Sequence, residues 1–222
     1  MGIVPVKTPT LIKKILPDYV WEFSTSEKIL YLTFDDGPTP EITKWTLDIL
    51  KQFEAKATFF CIGNNIQKHP GIFHSILNDG HRIGNHSNTH LKGWKTSVEN
   101  YISDVHEAQK IIISELNKSY TTSQKLNSSL LFRPPYGQIK PSQGKALKTL
   151  GYTVVTWNIL SFDWDKETHP ETCYNNVISK SKPGSIIVFH DSVKASKSLM
   201  YALPKVLEYF SEKGFRFETL PI

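Results

Sequence analysis

Short apolar runs alternate with segments of helical period along most of the chain. Strand-like runs fall at 29–34, 57–62, 82–85, 130–132, 152–157, 185–190 and 215–219. The first contains Ile29-Leu30-Tyr31-Leu32 without a polar break, the pattern of a strand covered on both faces. Between the runs, apolar residues recur three and four apart. Thr39 followed by Pro40 predicts a helix start, after which Ile42, Trp45, Ile49, Leu50 and Phe53 share one face. Thr96 with Glu99 predicts a capping box ahead of Val98, Tyr101, Ile102, Val105, Ile112 and Leu116. Leu199, Leu203, Val206, Leu207 and Phe210 predict a last helix, closed by Gly214. Residues 117–129 are polar and read as a long surface loop.

Strand alternating with helix predicts a parallel sheet in an α/β fold. About seven such units predict a closed or nearly closed (β/α) barrel, with a doubly wound open sheet as the alternative. A barrel of this kind carries its chemistry at the C-terminal ends of the strands. Residues 29–222 read as one catalytic domain, with residues 1–28 as an N-terminal extension packing on it.

Composition narrows the class without choosing a function. The 222 residues are 39% apolar and 21% charged, ordinary for a globular domain. No apolar stretch has the length of a membrane span. Lys7, Lys13, Lys14 and two prolines interrupt residues 1–16, so no signal-peptide core is visible. The compartment reads as cytoplasmic by default, or as that of a trimmed secreted or envelope protein. Two cysteines, Cys61 and Cys173, do not make a disulfide framework. The net charge is +5, but scattered lysines give no basic stripe and argue against nucleic acid. An anionic surface or an acidic glycan stays open as a partner. The expected state is a monomer.

The chemically useful residues collect where the strand-like runs end. Asp35 and Asp36 close the first run in Thr33-Phe34-Asp35-Asp36-Gly37-Pro38. Adjacent carboxylates repel unless a cation or a shared proton relieves them. His86 and His90 follow the third run. If the chain turns helically after Asn85, their rings point the same way and can grip one ion. Two His and a carboxylate form a known catalytic zinc set, although Ser87 after the first His rules out the zincin pattern. Arg133-Pro134-Pro135-Tyr136-Gly137 follows the fourth run as a stiff, non-helical segment. Asp163 and Trp164 follow the fifth, setting a flat apolar wall beside a charge. His190-Asp191 ends the sixth. Taken singly, each has a plainer reading: an Asx turn, two surface histidines, a surface arginine, a packed tryptophan, a core histidine.

In this order, the segments at 33–38, 86–90, 133–137, 163–164 and 188–191 resemble the five motifs of the polysaccharide deacetylases of the NodB-homology class, carbohydrate esterase family 4. The resemblance runs from about residue 29 to the C-terminus. It implies a distorted (β/α) barrel, often of seven strands, and a divalent metal. That metal is usually zinc, with cobalt, nickel or manganese as alternatives. It implies Asp35 as catalytic base, held by Arg133, with Asp36, His86 and His90 as metal ligands. It further implies oxyanion binding by the Tyr136 N–H, and His190 as general acid paired with Asp163. Trp164 and Val188 would line the pocket for the acetyl methyl. Val188 stands where the family usually has Leu. The implied reaction is removal of N-acetyl groups from amino sugars of a chitin-oligosaccharide or peptidoglycan type of glycan. O-deacetylation of acetylated xylan and a non-catalytic glycan-binding module are the alternatives.

Overall fold

The uninterrupted apolar run at the first motif becomes the central strand of the molecule. A computed structural model of the chain describes residues 5–119 and 130–222. Its strands are β1 (Ile29–Asp35), β2 (Ala57–Cys61), β3 (Arg82–Asn85), β4 (Leu131–Phe132), β5 (Thr153–Val154), β6 (Ile159–Leu160), β7 (Ile186–His190) and β8 (Arg216–Phe217). The helices are α1 (Thr10–Ile15), α2 (Ile42–Gln52), α3 (Gly63–Lys68), α4 (Pro70–Asn78), α5 (Val98–Ser119), α6 (Pro141–Thr149), α7 (Pro170–Lys180) and α8 (Ser196–Glu212). The strands pair in the order β5-β4-β3-β2-β1-β7-β6, and β8 joins β1 beside this path. Every pairing is parallel. The result is a distorted (β/α) barrel with helices outside a curled sheet.

Side-chain alternation decides what each strand contributes. Leu30, Leu32 and Phe34 of β1 pack outward with Phe59 of β2, Ile187 and Phe189 of β7, and the apolar faces of α2 and α8. Ile29 and Tyr31 point inward, with Phe60, Leu131, Val155, Ile186 and Leu220. This second cluster fills the barrel interior. The period of two then carries the inward face of β1 on to Thr33 and Asp35. The same period carries that of β7 on to Val188 and His190. The chemistry of these strands therefore sits on an apolar plug.

Four local expectations change. The run at 152–157 shortens to the two-residue β5, and a separate β6 follows beyond it at Ile159–Leu160, with no Gly or Pro between the two strands. The helix expected from Thr39 starts at Ile42; there the Thr39 N–H donates to the Thr43 hydroxyl at 2.7 Å. Ser97, not Thr96, caps α5, accepting from the Asn100 N–H at 3.2 Å. The surface loop expected at 117–129 is helical through Ser119, and its remainder lies outside the described residues.

β5 and β6 end the strand path without pairing to each other. Residues 6–23 span that gap. Val20 donates to the Val154 carbonyl at 2.9 Å and accepts from the Thr156 N–H at 2.8 Å. Thr8 donates to Asn158 O, and Leu160 donates to Val6 O, each at 2.9 Å. The Phe23 N–H reaches Gly184 O at 2.9 Å. Glu22 accepts from Lys13 at 2.8 Å and from the Asn158 amide at 2.8 Å, and Lys182 lies 3.2 Å away. An exposed strand edge is a row of unpaired backbone groups, and this segment satisfies them. Deleting residues 1–24 is expected to cost about 3–5 kcal/mol, at roughly 1 kcal/mol per lost hydrogen bond. Thermal unfolding of the truncated chain checks this; an unchanged midpoint refutes the closing role.

Candidate functional site

Register brings two of the strand-end residues side by side. Asp35 of β1 and His190 of β7 are Cα partners in adjacent parallel strands. Beyond β1 the chain reverses through Asp36, at φ 82, and Gly37. Gly37 has no room for a side chain: a Cβ there would lie 2.0 Å from the Asp191 carboxylate. The Asn65 side chain fixes the turn from outside, donating to Asp36 O at 2.7 Å.

Asp36, His86 and His90 converge, with one ligand atom from each lying within 4.8 Å of the others. Asp36 Oδ1 is 3.2 Å from His90 Nε2 and 3.7 Å from His86 Nε2. That oxygen is buried without a hydrogen-bond partner, a costly state for an acceptor unless something else fills it. Burial opposes ionisation of Asp36, but His90, His190 and His86 outweigh it and hold the carboxyl well below its usual range. His86 is buried, and its Nδ1 faces the Arg133 carbonyl at 2.8 Å. Nδ1 therefore carries the proton and Nε2 presents its lone pair, the usual arrangement of a ligating histidine. Burial also pushes His86 down to about 4, keeping it neutral at physiological pH. An unpartnered carboxylate oxygen and two imidazole nitrogens can hold a metal ion.

The two histidines do not meet through a helical turn. Residues 86–90 form a loop with Ser87 at φ 64 and His90 at φ 59. Asn85 accepts from the Ser87 N–H at 2.8 Å, and Ser87 Oγ accepts from the His90 N–H at 3.0 Å. Asp104 of α5 accepts from the Asn88 N–H, the Thr89 N–H and the Thr89 hydroxyl at 2.9, 3.2 and 2.7 Å. Asn85 and Asp104 set the loop's shape, and neither stood out in the sequence. A short polar residue within hydrogen-bond reach of a histidine pair is their only trace there.

Arg133 is fully buried. Its Nη1 donates to Asp35 Oδ1 at 2.8 Å and to Thr33 Oγ1 at 2.7 Å. Nε and Nη2 donate to Val155 O and Thr156 O at 3.3 and 2.8 Å. The guanidinium lies 4.1 Å from the centre of the Phe60 ring. Tyr136, at φ 59, is 56% exposed, with its ring 4.5 Å from that of His90. Gly137 and Gln138 close this turn with their N–H groups, so the Tyr136 N–H is not engaged in it.

On the opposite side, His190 Nδ1 lies 2.8 Å from Asp163 Oδ1, and its own N–H donates to Asp163 Oδ2 at 2.7 Å. Ser161 donates to the same carboxylate at 3.0 Å. Burial would lower the His190 pKa, but Asp163, then Asp36 and Asp35, raise it to about 9. Trp164 stacks on Phe162 at 4.9 Å and lies 4.9 Å from the His190 ring. Val188 is buried on the inner face of β7, one inward position below His190.

Asp191 is a further residue of this centre whose place the sequence did not disclose. It is fully buried, accepting from the Thr43 hydroxyl at 2.5 Å and the Gly37 N–H at 3.1 Å. Its own N–H donates to Asp35 O at 3.1 Å. Burial is the main cause pushing its carboxyl up to about 8, with Asp36 adding to the rise against the Thr43 bond. Asp191→Ala strands two buried donors and is expected to cost about 2–3 kcal/mol. Denaturant unfolding measures it; a variant as stable as the parent removes Asp191 from this role.

Known proteins resemble this chain in sequence and in fold. The family profile for polysaccharide deacetylase matches residues 23–155. A peptidoglycan-N-acetylglucosamine deacetylase of Bacillus cereus is 34% identical over 206 residues, covering 90% of each chain. A chitooligosaccharide deacetylase of Azorhizobium caulinodans is 28% identical over 207 residues, covering 88% of this chain and 94% of its own. The crystal structure of a peptidoglycan N-acetylglucosamine deacetylase in complex with 4-naphthalen-1-yl-N-oxidanyl-benzamide superposes with a TM-score of 0.84 at 33% identity. It covers 96% of this chain and 95% of that one. With its profile match, its relatives and a carboxylate and two histidines that could hold a metal ion at the barrel mouth, this chain belongs to the polysaccharide deacetylase family.

Proposed function

We propose that the chain hydrolyses the N-acetyl group of an amino sugar in a glycan, giving acetate and a free amine. The observation that carries this reading is the symmetry of support around the Asp36, His86 and His90 set. A carboxylate held by a buried arginine lies on one side, and an imidazole held by a buried aspartate lies on the other. The names of the relatives favour a glycan of the peptidoglycan or chitin-oligosaccharide type.

Asp36, His86 and His90 hold the metal, with zinc the best match to two imidazoles and a carboxylate. When bound, it supplies Lewis acidity to the acetyl carbonyl and to the attacking water. Asp35 is the base, taking a proton from that water as oxygen attacks the carbonyl carbon. Arg133 pairs with Asp35 and fixes its direction. The Tyr136 N–H, free of its own turn, donates to the oxygen on which negative charge develops. His190 then gives a proton to the leaving nitrogen as the carbon–nitrogen bond breaks. Asp163 keeps the imidazole charged and oriented for that transfer. Trp164 and Val188 bound the space for the acetyl methyl.

An ester needs less from the acid because an alkoxide leaves more readily than an amine. The elaborate support of His190 therefore favours the amide over acetylated xylan. A glycan-binding role without turnover gives no reason for Asp35 and His190 to flank an ion.

Acetate release from N-acetylated chitooligosaccharides or peptidoglycan fragments is expected to stop with a chelator and return with zinc or cobalt. Asp35→Asn is expected to lower kcat about 10²–10⁴-fold with the metal retained, whereas His86→Ala loses metal first. Metal analysis beside steady-state kinetics separates the two. Full activity in Asp35→Asn would falsify its assignment as base.

The pH dependence follows from His190, which must be protonated to act. Because its pKa is raised to about 9, the alkaline limb of the kcat/KM profile belongs near that value. Asp163→Asn removes the main raising influence and is expected to move the limb toward neutrality. A limb that stays in place in this variant assigns the acid to another group.

A further inference from the structure

Residues 92–96 follow the histidine loop and are held unusually firmly. Gln143 of α6 is fully buried, and its amide donates to Gly93 O at 2.9 Å and Thr96 O at 3.2 Å. Lys140 Nζ donates to Thr96 O at 2.7 Å, and the Thr96 hydroxyl donates to Lys92 O at 2.9 Å. The Lys95 and Thr96 N–H groups close a tight turn onto Lys92 O and Gly93 O at 3.0 and 3.1 Å. Gly93 presses on the neighbouring turn so closely that a Cβ would lie 2.0 Å from Gln138 O. Yet Trp94, the largest side chain of the loop, is 63% exposed.

A firmly held loop with its indole in water gains nothing from that indole in folding, since a buried tryptophan would contribute far more. A lone exposed aromatic needs no explanation, but Trp94 is not alone. Lys92 sits 5.2 Å over the Tyr136 ring, and that ring lies against His90. Trp94 and Tyr136, the large exposed aromatics among the described residues, thus stand on contacting segments that lead away from His86 and His90. Trp94 is four residues beyond His90, at most ~14 Å of chain, a reach of neighbouring sugar units in a glycan.

We propose that Trp94 is a stacking platform for a pyranose ring of the glycan next to the sugar that is deacetylated. The inference rests on the proposed function for its polymer, while the platform itself can be tested separately. An indole face matches the apolar C–H face of a sugar ring. Holding the loop in advance removes the ordering cost that binding would otherwise carry. Trp94 therefore selects for chain length and takes no part in the chemistry.

The test compares the parent with Trp94→Ala and Trp94→Phe on an N-acetylchitooligosaccharide pentamer and on the disaccharide. For Trp94→Ala on the pentamer, KM is expected to rise about tenfold with kcat unchanged. The disaccharide kinetics and the metal content stay as in the parent, and Trp94→Phe keeps most of the affinity. Calorimetric binding of a glucosamine pentamer, which has no acetyl group to lose, is expected to weaken in parallel. Equal losses on both substrates, or an unchanged pentamer KM, overturn the proposal. If the parent releases no acetate from any glycan, the functional reading fails. The calorimetric comparison then still decides the platform, with equal pentamer affinity in parent and Trp94→Ala overturning it.

Discussion

A guanidinium buried in the barrel interior holds the centre together. Arginine is almost never fully buried without partners, and Arg133 has four: one carboxylate, one hydroxyl and two carbonyls. They belong to β1 and to the chain leaving β5, on either side of the strand that delivers Arg133. One side chain thus ties three parts of a curled sheet whose path never closes. Removing one partner of such a buried pair costs about 3–5 kcal/mol because the other charge is left alone. The same contacts aim Asp35, so the fold's cohesion and the direction of its proposed base are one arrangement. The Arg133 carbonyl extends it to the Asp36, His86 and His90 cluster by fixing the His86 tautomer.

The electrostatics around the mouth divide in the same way. Asp36 is kept ionised chiefly by His90 and His190, while His190 is kept protonated by a dedicated aspartate. Asp191, equally buried but with only a hydroxyl and an amide for company, is pushed toward its neutral form. Two carboxylates and a histidine within one small region thus hold different protonation tendencies because their neighbours differ, as acid–base chemistry at one pH requires. The pairing of Asp163 with His190 also stabilises the fold. That contribution is complete below the ordinary histidine value of 6.5 and is lost as pH rises through about 9.

Much of this was legible in the sequence, for identifiable reasons. The strands of the parallel sheet announce themselves because burial on two faces leaves long apolar runs, as at Ile29–Asp35. The side chains that converge at Asp36, His86 and His90 announce themselves through residue type and spacing. The short strand β6 escaped notice and β5 was drawn too long, since two-residue pairings impose almost no pattern. The histidine loop was mistaken for a helical turn because left-handed Ser87 and His90 have no compositional signature. Asn85, Asp104 and Asp191 act through backbone N–H groups, and such bonds leave no periodicity. The gap between β5 and β6 is invisible for the same reason, as is the segment of residues 6–23 that covers it.

The clamp on residues 92–96 grips only main-chain carbonyls. Gln143 and Lys140 recognise the oxygens of Gly93 and Thr96 and are indifferent to the side chain between them. Position 94 is therefore free to drift in evolution without loosening the loop or disturbing the histidines upstream. Lineages sharing this scaffold can change which polymer they grasp by exchanging a single projecting group, while the machinery beneath is inherited intact.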